Sequence, residues 1–154
     1  MPAESTTMSA HRLTLRSQLG DLALLWPWVE ALAGKYSVPA ETTFAIHLCL
    51  EEAVSNVIRH GYRGLPNHTL TVGCASPAER ALEFTVEDQA QPFDPLADSG
   101  VAEAPAASSP AVSSIDELRP GGRGIRLLRN FAGTLAYERT KDGNRLTIGF
   151  ELPK

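Results

Sequence analysis

The segment from Phe44 to Tyr62 constrains this chain more than any other. Apolar residues at 44, 48, 50, 54, 57 and 58, with small Ala45 and Ala53 between them, recur at spacings of three and four. That pattern predicts an amphipathic helix with one face in a core. Glu52 and Asn56 stand four positions apart, so their side chains share a face, one turn from each other. An amide oxygen can ligate a hard cation such as Mg2+. A carboxylate beside it can accept a proton from a water or a hydroxyl. Alone, such a pair is most often a solvated helix face, and the rest of the chain has to decide.

At 154 residues the chain is expected to form one domain with a real hydrophobic core. No apolar run approaches the roughly 20 residues that span a bilayer. Residues 1–10 read as a disordered leader, and the polar start from Met1 to His11 carries no signal-peptide core. The expectation is a cytoplasmic protein without membrane contact. Cys49 and Cys74 lack metal-ligand spacing, so they are expected to be buried free thiols. A net charge of −4 argues against a direct nucleic-acid partner, which would require a basic surplus.

Taken in order, residues 11–17 alternate polar and apolar, the mark of a half-buried strand. Leu22 to Tyr36 carries helical spacing, and Pro27 inside it predicts either a kink or a later start. Pro39 and Glu41 suit the first turn of the helix that follows. Gly61, Gly64 and Pro66 then end it in a turn. Residues 69–74 and 81–87 read as one hairpin, and 134–139 with 145–152 as another, closed by Asp142-Gly143. Between the hairpins, 94–120 is rich in Ala, Ser and Pro, a loop long enough to be a lid or disordered. It leads into Gly121-Gly122-Arg123-Gly124 and an apolar helix over 125–131. The fold class is therefore α+β: a two-layer sandwich, its mixed, mostly antiparallel sheet covered on one face by three helices.

Two further stretches bear chemistry. Gly122-Arg123-Gly124 at a helix start would offer close backbone approach, free N–H groups and a positive dipole end, all suited to phosphate. No Lys-Ser or Lys-Thr follows, so this is not a Walker-type loop; the glycines can also serve only as a hinge. Asp88 ends a strand, where a carboxylate can accept a hydrogen bond from an exocyclic amine, or can simply stabilise a turn. His60, four residues beyond Asn56, can reach a phosphate or favour the helix C-terminus as a cation. His47 reads as structural. No Ser/His/Asp or Cys/His nucleophile set is present.

The order of these stretches is more specific than any one of them. Glu52-Ala53 with Asn56 and His60-Gly61-Tyr62 comes first, then Asp88 with Pro92-Phe93-Asp94-Pro95, then Gly121-Gly122 and Gly124-Ile125 with Asn130. This succession resembles the histidine-kinase-like ATPase superfamily, the Bergerat fold, and within it the anti-sigma-factor serine/threonine kinases. The resemblance spans about 13–152. It implies that Glu52 is the general base and that Asn56 holds Mg2+. It implies too that Asp88 reads the adenine amine, and that Gly122, Arg123 and Gly124 surround the phosphates of ATP. Thr147 would lie near the base beside Asp88, and 94–120 would be the ATP lid of a single kinase-like domain over 11–154.

The implied function is a Mg-ATP-dependent protein kinase that binds a sigma factor and phosphorylates a serine of an antagonist protein, often as a homodimer. Phosphoryl transfer of that kind needs mainly positioning and charge stabilisation. One residue departs from the pattern: Ala90 stands where the family has glycine. If that position required a left-handed backbone, alanine would cost about 1–2 kcal/mol, and its methyl would crowd the base. The alternative is therefore a catalytically weak module that binds ATP and sequesters a partner. A histidine kinase catalytic domain or a chaperone-type ATPase is a third reading.

Overall fold

The computed structural model describes residues 11–92 and 130–153. The leader 1–10, the lid 94–120 and Gly122, Arg123 and Gly124 lie outside the described residues, as does most of the helix expected over 125–131. Strand β1 (His11–Arg16) leads through a 3-10 turn (Leu19–Leu24) into helix α1 (Leu25–Tyr36), and then into α2 (Ala40–Asn56). A π turn (Val57–Gly61) closes α2, and β2 (Thr69–Ala75), β3 (Ala81–Asp88), β4 (Thr134–Arg139) and β5 (Asn144–Glu151) follow. The strands form one sheet in the order β1-β2-β3-β5-β4. Every pairing is antiparallel, so among the described residues the expected mixed sheet has no parallel member. Two α-helices are described where three were expected; of the third, only Asn130 and Phe131 are described, and both are helical.

Pro27 marks a later start rather than a kink. Leu24 is the N-cap of α1, which puts Pro27 in the first turn, where backbone N–H groups have no helical acceptor to lose. A left-handed Ser37 ends α1, its N–H bonded to Ala33 O. Asp21 fixes the junction between β1 and the 3-10 turn. It accepts from Arg16 N at 2.8 Å, from the Arg16 guanidinium at 3.1 and 3.3 Å, and from Gln18 Nε2 at 3.1 Å. The Arg16 backbone hydrogen bond, then that side chain, hold the Asp21 carboxyl below its ordinary value. A depressed folded-state value adds stability above the unfolded value, and that stability is lost as pH falls through the folded one. The acid limb of a stability-against-pH curve is therefore expected to be shallower in Asp21→Asn than in wild type, as chemical denaturation across the acid range would read. Equal limbs would mean that Asp21 is not coupled to folding.

Leu25, Val29 and Leu32 of α1 and Ile46, Leu50, Ala53 and Val54 of α2 pack with Leu15, Leu70, Val72, Leu82, Phe84, Val86, Ile148 and Phe150 of the sheet in one core. The phenyl ring of Phe84 meets Trp28 and Phe150 edge-on, with centroids 6.1 and 6.0 Å apart. The buried stripe of α2 runs through Thr43, Ile46, Leu50 and Ala53 and continues to Val57 of the π turn, so Phe44, expected on the core face, is 57% exposed. His47 is structural, its ring edge-on to Trp26 at 4.8 Å. Cys49 and Cys74 are buried and not joined in a disulfide, and burial pushes both thiols up to about 12. Neither is a nucleophile at neutral pH.

Candidate nucleotide site

The far end of α2 and the ends of β3, β4 and β5 converge on a small cavity of about 20 Å3. Ala53, Asn56, Val57, Val86, Asp88, Tyr137, Asn144 and Leu146 line it. Its floor is apolar because Val86 and Leu146 face each other across the β3–β5 ladder. Its polar groups come from two directions, Asn56 from the helix and Asp88 with Asn144 from the sheet.

Asn56 is 2% exposed, and its Oδ1 has no hydrogen-bond partner among the described residues. A buried carbonyl oxygen left unpaired costs about 1–3 kcal/mol. It is also a hard ligand of the kind Mg2+ takes. The residue present therefore fits the metal that the resemblance implies. Glu52 lies one turn earlier on the same helix and is half-buried, outside the cavity lining. Among the described residues, no group of three or more His, Cys, Asp or Glu side chains could hold a metal.

Asp88 ends β3 directly opposite Asn144, the first residue of β5. Its Oδ1 accepts from Ala90 N and from Asn144 Nδ2, both at 2.8 Å. The backbone comes close here. A Cβ on Gly143 would run into the carbonyl of Asp88, so a glycine is needed at 143 for β5 to start against the end of β3. Ala90 is 5% exposed and is not among the residues with positive φ. The backbone strain expected of it is therefore absent. Its methyl lies 3.2 Å from where a Cβ on Gly61 would stand, so the glycine at 61 makes room for the methyl at 90.

The structure does not bring every expected residue to this cavity. Thr147 faces the other side of the sheet. Side chains alternate along a strand, and with Asn144 and Leu146 at the cavity, Thr147 pairs with Thr85 on the opposite face. Asn144 takes the place beside Asp88 that Thr147 was expected to fill. His60 is exposed and outside the lining. It stands in the last turn of the π segment with Arg59, which suits the cationic helix-end reading.

Two residues carry more than their sequence signal showed. The Tyr62 hydroxyl donates to Thr69 O at 2.9 Å and accepts from Gln89 N at 2.8 Å, tying the end of the helical segment to the start of β2 and the end of β3. Burial raises it above the ordinary phenol value, and its ring stacks on His68 with centroids 4.6 Å apart. Arg139 Nη1 donates to Ala90 O at 2.8 Å. Tyr62 was legible only as part of His60-Gly61-Tyr62, and Arg139 and Asn144 read as ordinary hairpin residues.

Comparisons with known proteins agree with this geometry. The family model described as "Histidine kinase-like ATPase domain" matches residues 15–150. The serine/threonine-protein kinase BtrW of Bordetella bronchiseptica is 30% identical over 122 residues, 79% of each chain. The anti-sigma F factor of Heyndrickxia coagulans is 28% identical over 110 residues, 71% of this chain and 62% of that protein. Among solved structures, the blue-light activated histidine kinase of Erythrobacter litoralis EL346 superimposes with a TM-score of 0.52 at 21% identity, covering 75% of this chain but 32% of its own. Its histidine kinase domain gives 0.54 at 18%, covering 83% of this chain and 61% of its own. At such identities the solved structures speak for the fold alone. Fold, cavity and family model converge: the chain belongs to the histidine kinase-like ATPase domain family.

Proposed function

We propose that this protein is a Mg-ATP-dependent serine/threonine protein kinase that acts as an anti-sigma factor by partner switching. It would hold a sigma factor, and phosphorylation of a serine on a small antagonist protein would set the exchange of partners. The observation that carries the reading is the buried, unpartnered Oδ1 of Asn56, one helical turn from Glu52 and lining the same cavity as Asp88. The names of the two relatives, a serine/threonine kinase and an anti-sigma factor, support the class of target.

In this reading Asp88 accepts a hydrogen bond from the adenine amine while Val86 and Leu146 line the cavity beside it. Asn56 Oδ1 would hold Mg2+, which would supply charge neutralisation at the phosphates. Gly122, Arg123 and Gly124 would be assigned to those phosphates, as the resemblance implies. Glu52 takes the proton from the substrate serine hydroxyl as its oxygen bonds to the γ-phosphorus, and the bond to the bridging oxygen breaks to release ADP. The binding-only alternative rested on strain and crowding of the base at Ala90, and the strain is absent, because Ala90 has no left-handed backbone. Among the described residues no helix is long and apolar enough to cross a membrane; a cytoplasmic site of action is part of the proposal. A homodimer is part of the same proposal.

The test is calorimetry with Mg-ATP, followed by incubation with the small antagonist proteins of the source organism and mass spectrometry for phosphoserine. Nucleotide binding with phosphoserine on one antagonist is the expected result. No heat at millimolar Mg-ATP would overturn the nucleotide site. Binding without phosphotransfer to any antagonist would overturn the kinase assignment.

A further inference from the structure

Asn144 is buried, yet it lies in a chain segment whose sequence reads only as a hairpin turn. Its side chain is the most connected polar group at the cavity. Nδ2 donates to Asp88 Oδ1 at 2.8 Å and to Gln91 O at 2.9 Å, with Ala90 O at 3.4 Å. Oδ1 accepts from the Tyr137 hydroxyl and from Arg139 Nη1, the latter at 3.4 Å.

The chemistry of these neighbours decides which way the amide points. A guanidinium can only donate, and backbone carbonyls and a carboxylate can only accept. The atom towards Arg139 must therefore be oxygen, and the atom towards Asp88, Gln91 and Ala90 must be nitrogen. A flipped amide would set donor against donor at Arg139 and acceptor against acceptor at Asp88, Gln91 and Ala90, while the Tyr137 hydroxyl, which can donate or accept, would tolerate either.

The consequence falls on Asp88. Its Oδ1 is engaged by two donors, Asn144 Nδ2 and Ala90 N. Its Oδ2 makes no hydrogen bond among the described residues, in a side chain that lines the cavity. We infer that Asn144, oriented by Tyr137 and Arg139, is a positioning residue that sets base specificity. It locks the Asp88 carboxylate so that one oxygen alone is presented to the exocyclic amine of a purine. Asn144 and Arg139 together also pin Ala90 and Gln91, so the turn after β3 cannot carry Asp88 away. This inference rests on the nucleotide-site reading and adds to it a residue and a specificity.

The test compares Mg-ATP with purine riboside triphosphate, which is the same ligand without the exocyclic amine. Dissociation constants are measured by calorimetry on wild type, Asn144→Ala and Tyr137→Phe, with melting curves showing that each variant is folded. A hydrogen bond to a carboxylate predicts that wild type prefers ATP by about tenfold or more. In Asn144→Ala that preference is expected to shrink to about threefold or less, with affinity for the amine-free analogue unchanged. Tyr137→Phe frees the amide without removing it, and should lower the preference by about two- to fivefold. A merely structural role would weaken both ligands alike and leave the ratio intact. An unchanged preference in Asn144→Ala, or in Tyr137→Phe should the first variant fail to fold, would overturn the inference while ATP binding stands. No binding of either ligand by wild type would overturn the nucleotide site and the inference with it.

Discussion

Replacing Glu52 by glutamine is expected to lower phosphotransfer to the antagonist by about 10^2- to 10^4-fold, the usual contribution of a positioned general base. Mg-ATP affinity should remain within about twofold, because Glu52 lies outside the cavity lining and a change confined to the transition state leaves ground-state binding intact. Glutamine keeps the size and the hydrogen-bonding reach of glutamate and cannot take a proton, so the comparison isolates that one act. Single-turnover transfer from radiolabelled ATP, measured beside calorimetry, separates the two quantities. A loss of ATP affinity as large as the loss in rate would assign Glu52 to binding. An unchanged rate would remove it from the chemistry, and Asp88 or a group contributed by the substrate would have to serve as base.

Replacing Asn56 by leucine should move stability and function in opposite directions. The Oδ1 of Asn56 is buried without a partner, and exchanging an unsatisfied polar group for an apolar one of similar shape is neutral or stabilising. Relief of about 1–2 kcal/mol would raise the thermal midpoint of the nucleotide-free protein by a few degrees, at about 2–4 °C per kcal/mol for a chain of this size. The same exchange removes the oxygen proposed to hold Mg2+. Wild type at a hundredfold excess of Mg-ATP over its dissociation constant should gain about 2.7 kcal/mol, whereas the variant should gain almost nothing. Thermal melts with and without Mg-ATP read both effects in one experiment. A lower midpoint in the variant would show that the amide has a stabilising partner. A retained Mg-ATP shift would show that the metal is held elsewhere.

The helix carrying Glu52 and Asn56 was legible because its signal is local. Spacings of three and four over many residues overdetermine the element, and two polar residues four apart must share a face. Strand existence was legible for a similar reason. Alternation over residues 11–17 and 81–87, and Asp142-Gly143 between two β-rich runs, leave little choice of local conformation. The bounds of β1, β2 and β3 moved by a residue or less, and β5 begins one residue earlier than expected, at Asn144. That single residue mattered, because Asn144 is the one beside Asp88.

Parity explains where Thr147 stands. A threonine near the end of a β-rich run can face either side of a sheet, and local sequence does not say which. The face follows from the β3–β5 register, which pairs Asp88 with Asn144. A shift of one residue would have exchanged every side chain between the faces. His60 lies in a π turn from Val57 to Gly61, a local choice that leaves no periodic signature in sequence.

By itself, the sequence determined the elements, their order, the helix face shared by Glu52 and Asn56, and the succession of stretches that points to the family. Those properties depend on residues within a turn or two of one another, where spacing and backbone preference act directly. Only the tertiary structure decided that β5 inserts between β3 and β4, that Asn144 rather than Thr147 meets Asp88, and that Ala90 is accommodated by Gly61. These depend on contacts between residues as many as 70 positions apart, Ala81 with Glu151. Many loop closures of similar entropy cost compete for such contacts, and burial of the Phe84, Ile148 and Phe150 face selects one register among them.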